Sequence, residues 1–397
     1  APDKLSPLFS IVKPKKAHYL HFPVTSKKNK PYKLESLDGD EDSQKLAMEL
    51  FISGNAAEEF WYSNVLDDYD EKFDEYDYST LGHGPVRYLN VYLSNAYDTV
   101  KIFNSIPIPV VFTGGFAPSL WKPVVSLGCF DLKAIYIDLT PYLQFLVSED
   151  YFLEFEVVSS NTEEYDSSIG DNWLISGNLM EWKNHDLVFK NTIKEMPLLD
   201  EYNATAEDTE SSLKQNVTSV SILSKEFGFE FKEKEYTLQV TYKNVLKSHI
   251  HLEDYGSDEK SVLSISQLKK YTVLDELTKG VIITGEDNTN YAFIENLATT
   301  EEKNSKESRF DTSAETTFSR VVNLKNEDEK KDIEILKVTA SQSGDANYNI
   351  SPKKGNSGSG SSVHAVKIDR HWPISHSYLR DVVVKDNKVV IDVHKEV

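Results

Sequence analysis

Cysteine is almost absent: Cys129 is the single one in 397 residues, so no disulfide can close within the chain. A lone thiol is either bridged to another chain or buried, and the apolar run 124–132 around it favours burial. Long apolar runs are missing too; no stretch of about eighteen apolar residues exists, which excludes a membrane-spanning helix. Basic residues are scarce relative to acidic ones, 43 against 64, for a net charge of −21. Nucleic acids and anionic membranes are bound by clustered Lys and Arg, so neither is an expected partner. A neutral ligand suits this charge, as does an acidic compartment in which some carboxylates are protonated. The opening Ala1-Pro2-Asp3-Lys4 carries neither Met nor a signal-like apolar run, and is expected to be a processed or an artificial end.

What is present is a period of two. Leu46, Met48, Leu50 and Ile52 alternate with other residues, as do Leu89, Val91 and Leu93, and Leu153, Phe155 and Val157. Phe227, Phe229 and Phe231 repeat the pattern, followed by Tyr236, Leu238, Val240 and Tyr242. Half-buried antiparallel strands produce it, because successive side chains point to opposite faces. The expected fold is all-β, built of antiparallel jelly-roll or β-sandwich domains. Helical spacing is best over 265–277, and weak there. Acidic, polar or Gly/Ser-rich composition marks 67–78, 200–212 and 351–362 as loops or linkers, the last of them flexible. The division expected is 1–199 and 200–397. Three glycosylation acceptors, Asn203, Asn216 and Asn349, support a secretory setting.

Two runs concentrate unusual residues. In Glu58-Glu59-Phe60-Trp61-Tyr62-Ser63-Asn64, an extended backbone would put Glu59 and Trp61 on one face and Glu58, Phe60 and Tyr62 on the other. A carboxylate beside an indole suits sugar, since the ring covers an apolar sugar face and raises the acid's pKa. Spacing alone favours the plainer alternative of core aromatics with solvated acids. The second run, 107–123, holds Pro107, Pro109, Gly114, Gly115, Trp121 and Pro123, whose prolines and glycines fix an irregular, rigid path of the kind that carries binding residues. No Lys-Ser/Thr follows those glycines, so they form no phosphate loop. His249-x-His251 lacks a third ligand, as does the pair His18 and His21. The run 38–42 lacks the distal Glu of a calcium loop, so no metal site is expected. No Gly-x-Ser-x-Gly elbow occurs, and Cys129 has no basic neighbour to activate it.

At these runs, and over about 46–183, the sequence resembles the plant and fungal peptide:N-glycosidase A family. The family's Asp-Glu-Phe-Trp-Tyr and Ser-Asn stand here as Glu58 to Asn64. Its Gly-Pro-Phe-Arg-Glu-Val stands as Gly84-Pro85-Val86-Arg87-Tyr88-Leu89, and its Pro-Phe-Pro-Val-Ile-Phe-Thr-Gly-Gly as Pro107 to Gly115. Trp121-Lys122-Pro123, Phe130-Asp131-Leu132 and Asp138-Leu139-Thr140-Pro141 follow in the family's order, and Trp173 to Trp182 resembles its closing strand. The resemblance implies hydrolysis of the β-amide between asparagine and the first N-acetylglucosamine of N-glycosylated peptides and proteins, giving Asp and a glycosylamine, with no cofactor. It also implies a partner, a separate N-terminal chain of the same precursor, and a secreted or vacuolar-lumen location. Within that reading Glu59 is the expected catalytic carboxylate, Asp131 the second acid and Arg87 a carbonyl or carboxylate contact. Trp61 and Trp121 are the expected sugar platforms, with Tyr62 and Glu58 beside them. A carbohydrate-binding protein without turnover, or a structural wall protein, are the alternatives.

Overall fold

Period-two alternation becomes strand wherever one face is covered. In a computed structural model, residues 2–7, 22–24, 43–110, 118–120, 132–147, 151–162, 165, 167–183, 186–302, 306–327 and 329–397 are described. Cys129, Trp121, Asp131, the glycine pair 114–115, the acidic run 38–42 and His18 and His21 lie outside them. The first strands are β1 (Lys4–Pro7), β2 (Phe22–Val24), β3 (Ser43–Gly54), β4 (Tyr88–Ser94), β5 (Thr99–Ser105), β6 (Ile135–Asp138), β7 (Phe152–Val158) and β8 (Trp173–Lys183). They form two antiparallel sheets, one ordered β1-β8-β3-β6 with β2 also against β8, the other β5-β4-β7. Leu46, Met48 and Leu50 are fully buried, as the alternation requires.

The rest is one long sheet: β9 (Leu187–Glu195), β10 (Leu199–Asp208), β11 (Leu213–Phe231), β12 (Lys234–Glu253), β13 (Asp258–Asp275), β14 (Val281–Glu302), β15 (Glu307–Asn326), β16 (Lys331–Ile350), β17 (Ser357–Arg370), β18 (His376–Lys385) and β19 (Lys388–Glu396). From β10 to β19 the spatial order is the chain order, an up-and-down antiparallel meander. β9 and β10 lie end to end along β11, and the break between them holds Pro197, which cannot donate to a ladder. The all-β antiparallel sandwich is as expected. One hydrophobic core joins the two parts: Phe103 meets Tyr242 edge to face at 5.0 Å, and Tyr142 meets Phe227 at 5.1 Å.

Three local expectations are corrected. Segment 200–212 is no linker, because most of it is β10: Tyr202, Ala204 and Ala206 face inward and the acids of the strand mostly face out. The 265–277 stretch is β13 rather than helix; its inward positions include Gln267 and Lys269, whose polarity erases the apolar alternation. Half of the Gly/Ser-rich segment 351–362 belongs to β17. Its glycines admit the 118–120 turn: a Cβ on Gly358 would stand 2.3 Å from Ser119 Oγ, and one on Gly360 2.3 Å from Ser119 O.

Candidate functional site

The run 58–64 is not extended. Ala56 adopts a left-handed φ of 51°, and two 3-10 turns follow, Ala56–Glu58 and Trp61–Ser63. Three residues per turn bring Glu58, Trp61 and Asn64 to one side, and all three are buried. So Glu58, and not Glu59, is the carboxylate set against indole. Trp173 Nε1 donates to Glu58 Oε2 at 2.8 Å, and the Gly170 amide donates to Oε1 at 2.8 Å. Arg87 completes the cage, giving Nε to Oε2 at 2.5 Å and Nη2 to Oε1 at 2.8 Å. Its Nη1 donates to the carbonyls of His83, Gly84 and Val86. Burial pushes the Glu58 carboxyl up, but Arg87, Trp173 and Gly170 outweigh it, and the net shift is downward. A carboxylate so saturated is a fixed ion and has no lone pair to offer a substrate.

The two aromatics of the run face inward as well. Trp61 packs on Trp173 at 6.2 Å, and Tyr62 stands edge-on to Phe293 of β14 at 5.4 Å. Neither ring leaves a face for a sugar. Glu59 is half-buried at the end of the first turn. His83, beside this cluster, meets Asp67 Oδ1 at 3.4 Å and Ser168 Oγ at 3.2 Å, both through Nδ1, so the three do not form a relay.

The second run behaves differently. Its described part, 107–110, walls a cavity of about 370 Å³ between 105–110 and 132–136 on one side and the inner face of β13 to β18 on the other. Cavities of about 300–1,000 Å³ with a few convergent polar groups are the usual form of a small-ligand site. Of the residues expected from sequence to act on substrate, none that is described lines it.

Residues 6–196 match the family described as Peptide N-acetyl-beta-D-glucosaminyl asparaginase amidase A. Over those residues, just under half of its length, the chain is similar to this amidase family. A Peptide-N4-(N-acetyl-beta-glucosaminyl)asparagine amidase A from Prunus dulcis is 28% identical over 144 residues, which is 36% of this chain and 22% of that protein. The chain therefore matches about a fifth of the relative's length. No solved structure matches.

The amidase A match supplies one wall of the cavity and the strands beyond it the other. Those strands bring polar side chains that carry no sequence signature. Arg320 closes on Asp287 through two bonds, 2.9 and 2.7 Å, and Lys269 Nζ donates to the Tyr136 carbonyl at 2.8 Å. Burial pulls the Lys269 ammonium down to about 8; Asp287 opposes the shift and Arg320 adds to it. His364 is buried, its Nε2 lies 2.9 Å from Ser362 Oγ, and burial followed by the Arg380 charge lowers it to about 4. Gln342 is 2% exposed with neither amide atom hydrogen-bonded. Leaving such a group unpaired costs about 1–3 kcal/mol. These residues become legible only once strand register is known, since each is a polar residue at an inward position.

Among the described residues no group of three or more His, Cys, Asp or Glu could hold a metal, and no helix is long and apolar enough to cross a membrane. His249 Nδ1 instead meets Asn216 Oδ1 at 2.7 Å. The first two acceptors lie on strands rather than loops: Asn203 faces Thr218 and Asn216 faces Thr205 across β10 and β11, both asparagines exposed. Asn349 is half-buried in β16.

Proposed function

We propose that this protein hydrolyses the β-amide between asparagine and the first N-acetylglucosamine of N-glycosylated peptides, releasing a glycosylamine and leaving aspartate. The observation that carries the reading is that the proline-rich motif of an amidase A domain forms one wall of a ligand-sized cavity. In this reading the cavity holds the linkage, Lys269 and its neighbours polarise it, and water attacks the carbonyl with a carboxylate as base. Asp131 is the carboxylate proposed for that step, with Glu59, which does not line the described wall, as the other carboxylate to test, and Trp121 the proposed sugar platform. Arg87 and Glu58 hold the motif region in place. A separate N-terminal chain of the same precursor is the proposed partner. The proposed setting is a secretory or vacuolar lumen, where Asn203, Asn216 and Asn349 would carry glycans.

A second reading, glycan binding without turnover, is favoured by one observation. Asp287 is the sole carboxylate on the described wall, and Arg320 already occupies it. Mass spectrometry on a denatured glycopeptide separates the two. The protein is assayed alone and with its N-terminal chain; conversion of Asn to Asp supports hydrolysis, and bound but intact glycopeptide supports the second reading. Full activity in Glu59→Gln would remove Glu59 from the mechanism.

A further inference from the structure

The cavity wall contains a side chain with unspent hydrogen-bonding capacity. Gln342 on β16 lines the cavity, is almost wholly buried, and leaves both its carboxamide oxygen and its nitrogen without a partner. Its cross-strand neighbours are Thr316 on β15 and His364 on β17, and the imidazole Nε2 is engaged by Ser362. The charged groups nearby each already have a protein partner: Arg320 holds Asp287, Arg380 holds Asp392 at 3.0 and 2.8 Å, and Lys269 gives one of its N–H bonds to the Tyr136 carbonyl. Gln342 thus adds to the wall an unpaired amide N–H donor and carbonyl acceptor side by side in one plane. Their complement is a neutral ligand edge carrying a donor beside an acceptor. A carboxylate supplies only acceptors, and an ammonium brings a charge toward Lys269 and Arg320.

We propose that Gln342 is the specificity-determining residue of this cavity, reading a neutral edge that bears an N–H donor next to an oxygen acceptor. Two ligand sources present that edge: the acetamido N–H of an N-acetylated amino sugar beside its ring hydroxyl, and the free side-chain amide of asparagine. The inference rests on the cavity being the substrate site of the proposed amidase. It assigns recognition to the meander, outside the matched residues 6–196.

The test is titration calorimetry of the full chain with N-acetylglucosamine, glucosamine and propionamide. Saturable binding of N-acetylglucosamine, with glucosamine at least about tenfold weaker, supports the proposal with sugar as the source; propionamide binding supports it with asparagine as the source. Gln342→Met keeps the side-chain length without donor or acceptor, and is expected to weaken the binding probe about tenfold while its thermal melt stays cooperative. Equal binding of glucosamine and N-acetylglucosamine, wild-type affinity in Gln342→Met, or no saturable binding of N-acetylglucosamine or propionamide overturns it. The comparison of probes on the wild-type chain decides even if the variant does not fold. A protein that binds N-acetylglucosamine through Gln342 yet never converts Asn to Asp would sink the hydrolase reading and leave this one standing. Hydrolysis unchanged by Gln342→Met would do the reverse.

Discussion

Arg87 grips Glu58 with both arms of its guanidinium, at 2.5 and 2.8 Å, and neither side chain has any exposure. A buried ion pair is weak evidence of net stabilisation, but removing one partner strands the other charge in a low dielectric. Glu58→Ala and Arg87→Ala are each expected to lose about 3–5 kcal/mol of stability, read as a drop in the urea midpoint. Arg87→Lys should lose much of the same, because an ammonium cannot bond both oxygens and three carbonyls from that position. A catalytic role alone would leave the midpoint of these variants unchanged.

The two most deeply buried acids among the described residues, Glu58 and Glu295, have opposite pH signatures. The Glu58 carboxyl is depressed in the fold, so its contribution is present above the unfolded value of about 4.3 and lost as pH falls through the folded one. Glu295 on β14 is raised instead, by burial and then by the nearby Glu259, and its Oε1 has no partner. Its contribution is full below about 4.3 and is lost as pH rises through the folded value. Glu295→Gln is therefore expected to be more stable than wild type at neutral pH and equal to it near pH 4. A urea-midpoint series across pH that shows no such convergence refutes the assignment.

Much of the sheet architecture is legible in alternation, and the places where reading fails share a cause. On β3 the inward positions Leu46 to Ile52 are all apolar, and Phe227 to Phe231 repeat the alternation at the end of β11, so these stretches announce their strands. On β13 the inward Gln267 and Lys269 interrupt the pattern just where the strand lines the cavity. The 58–64 run misleads for another reason: seven residues cannot separate a period of two from a period near three. For that reason the carboxylate set against indole is Glu58 and not the expected Glu59. Gln342 had no local mark at all, because its row mates Thr316 and His364 are brought together only by the meander's register.

His364 makes the cavity sensitive to acid. Burial, aided by Arg380, lowers the imidazole to about 4, against about 6.5 when unfolded. Between those values the unfolded chain binds the extra proton, so stability falls as pH drops from about 6.5 to about 4, by roughly 3 kcal/mol in all. His364→Gln should flatten that slope. The check is the difference in unfolding free energy between variant and wild type across this range, which must shrink toward low pH.

The glycines of β17 are a test of the contact between the meander and the motif-bearing part of the chain. A methyl group on Gly358 would lie 2.3 Å from Ser119 Oγ and 2.4 Å from the Asn347 carbonyl, and Ser119 Oγ itself donates to that carbonyl at 2.7 Å. Neither neighbour can retreat without breaking the bond between them. Gly358→Ala should therefore cost about 1–3 kcal/mol, the usual range for forcing extra volume into packed structure. On β14, Gly285 provides the control: its nearest neighbour would stand 3.9 Å from an added Cβ, so Gly285→Ala should be neutral or slightly stabilising. Equal denaturation midpoints for the two variants would mean that the 118–120 turn does not sit on β17 in solution.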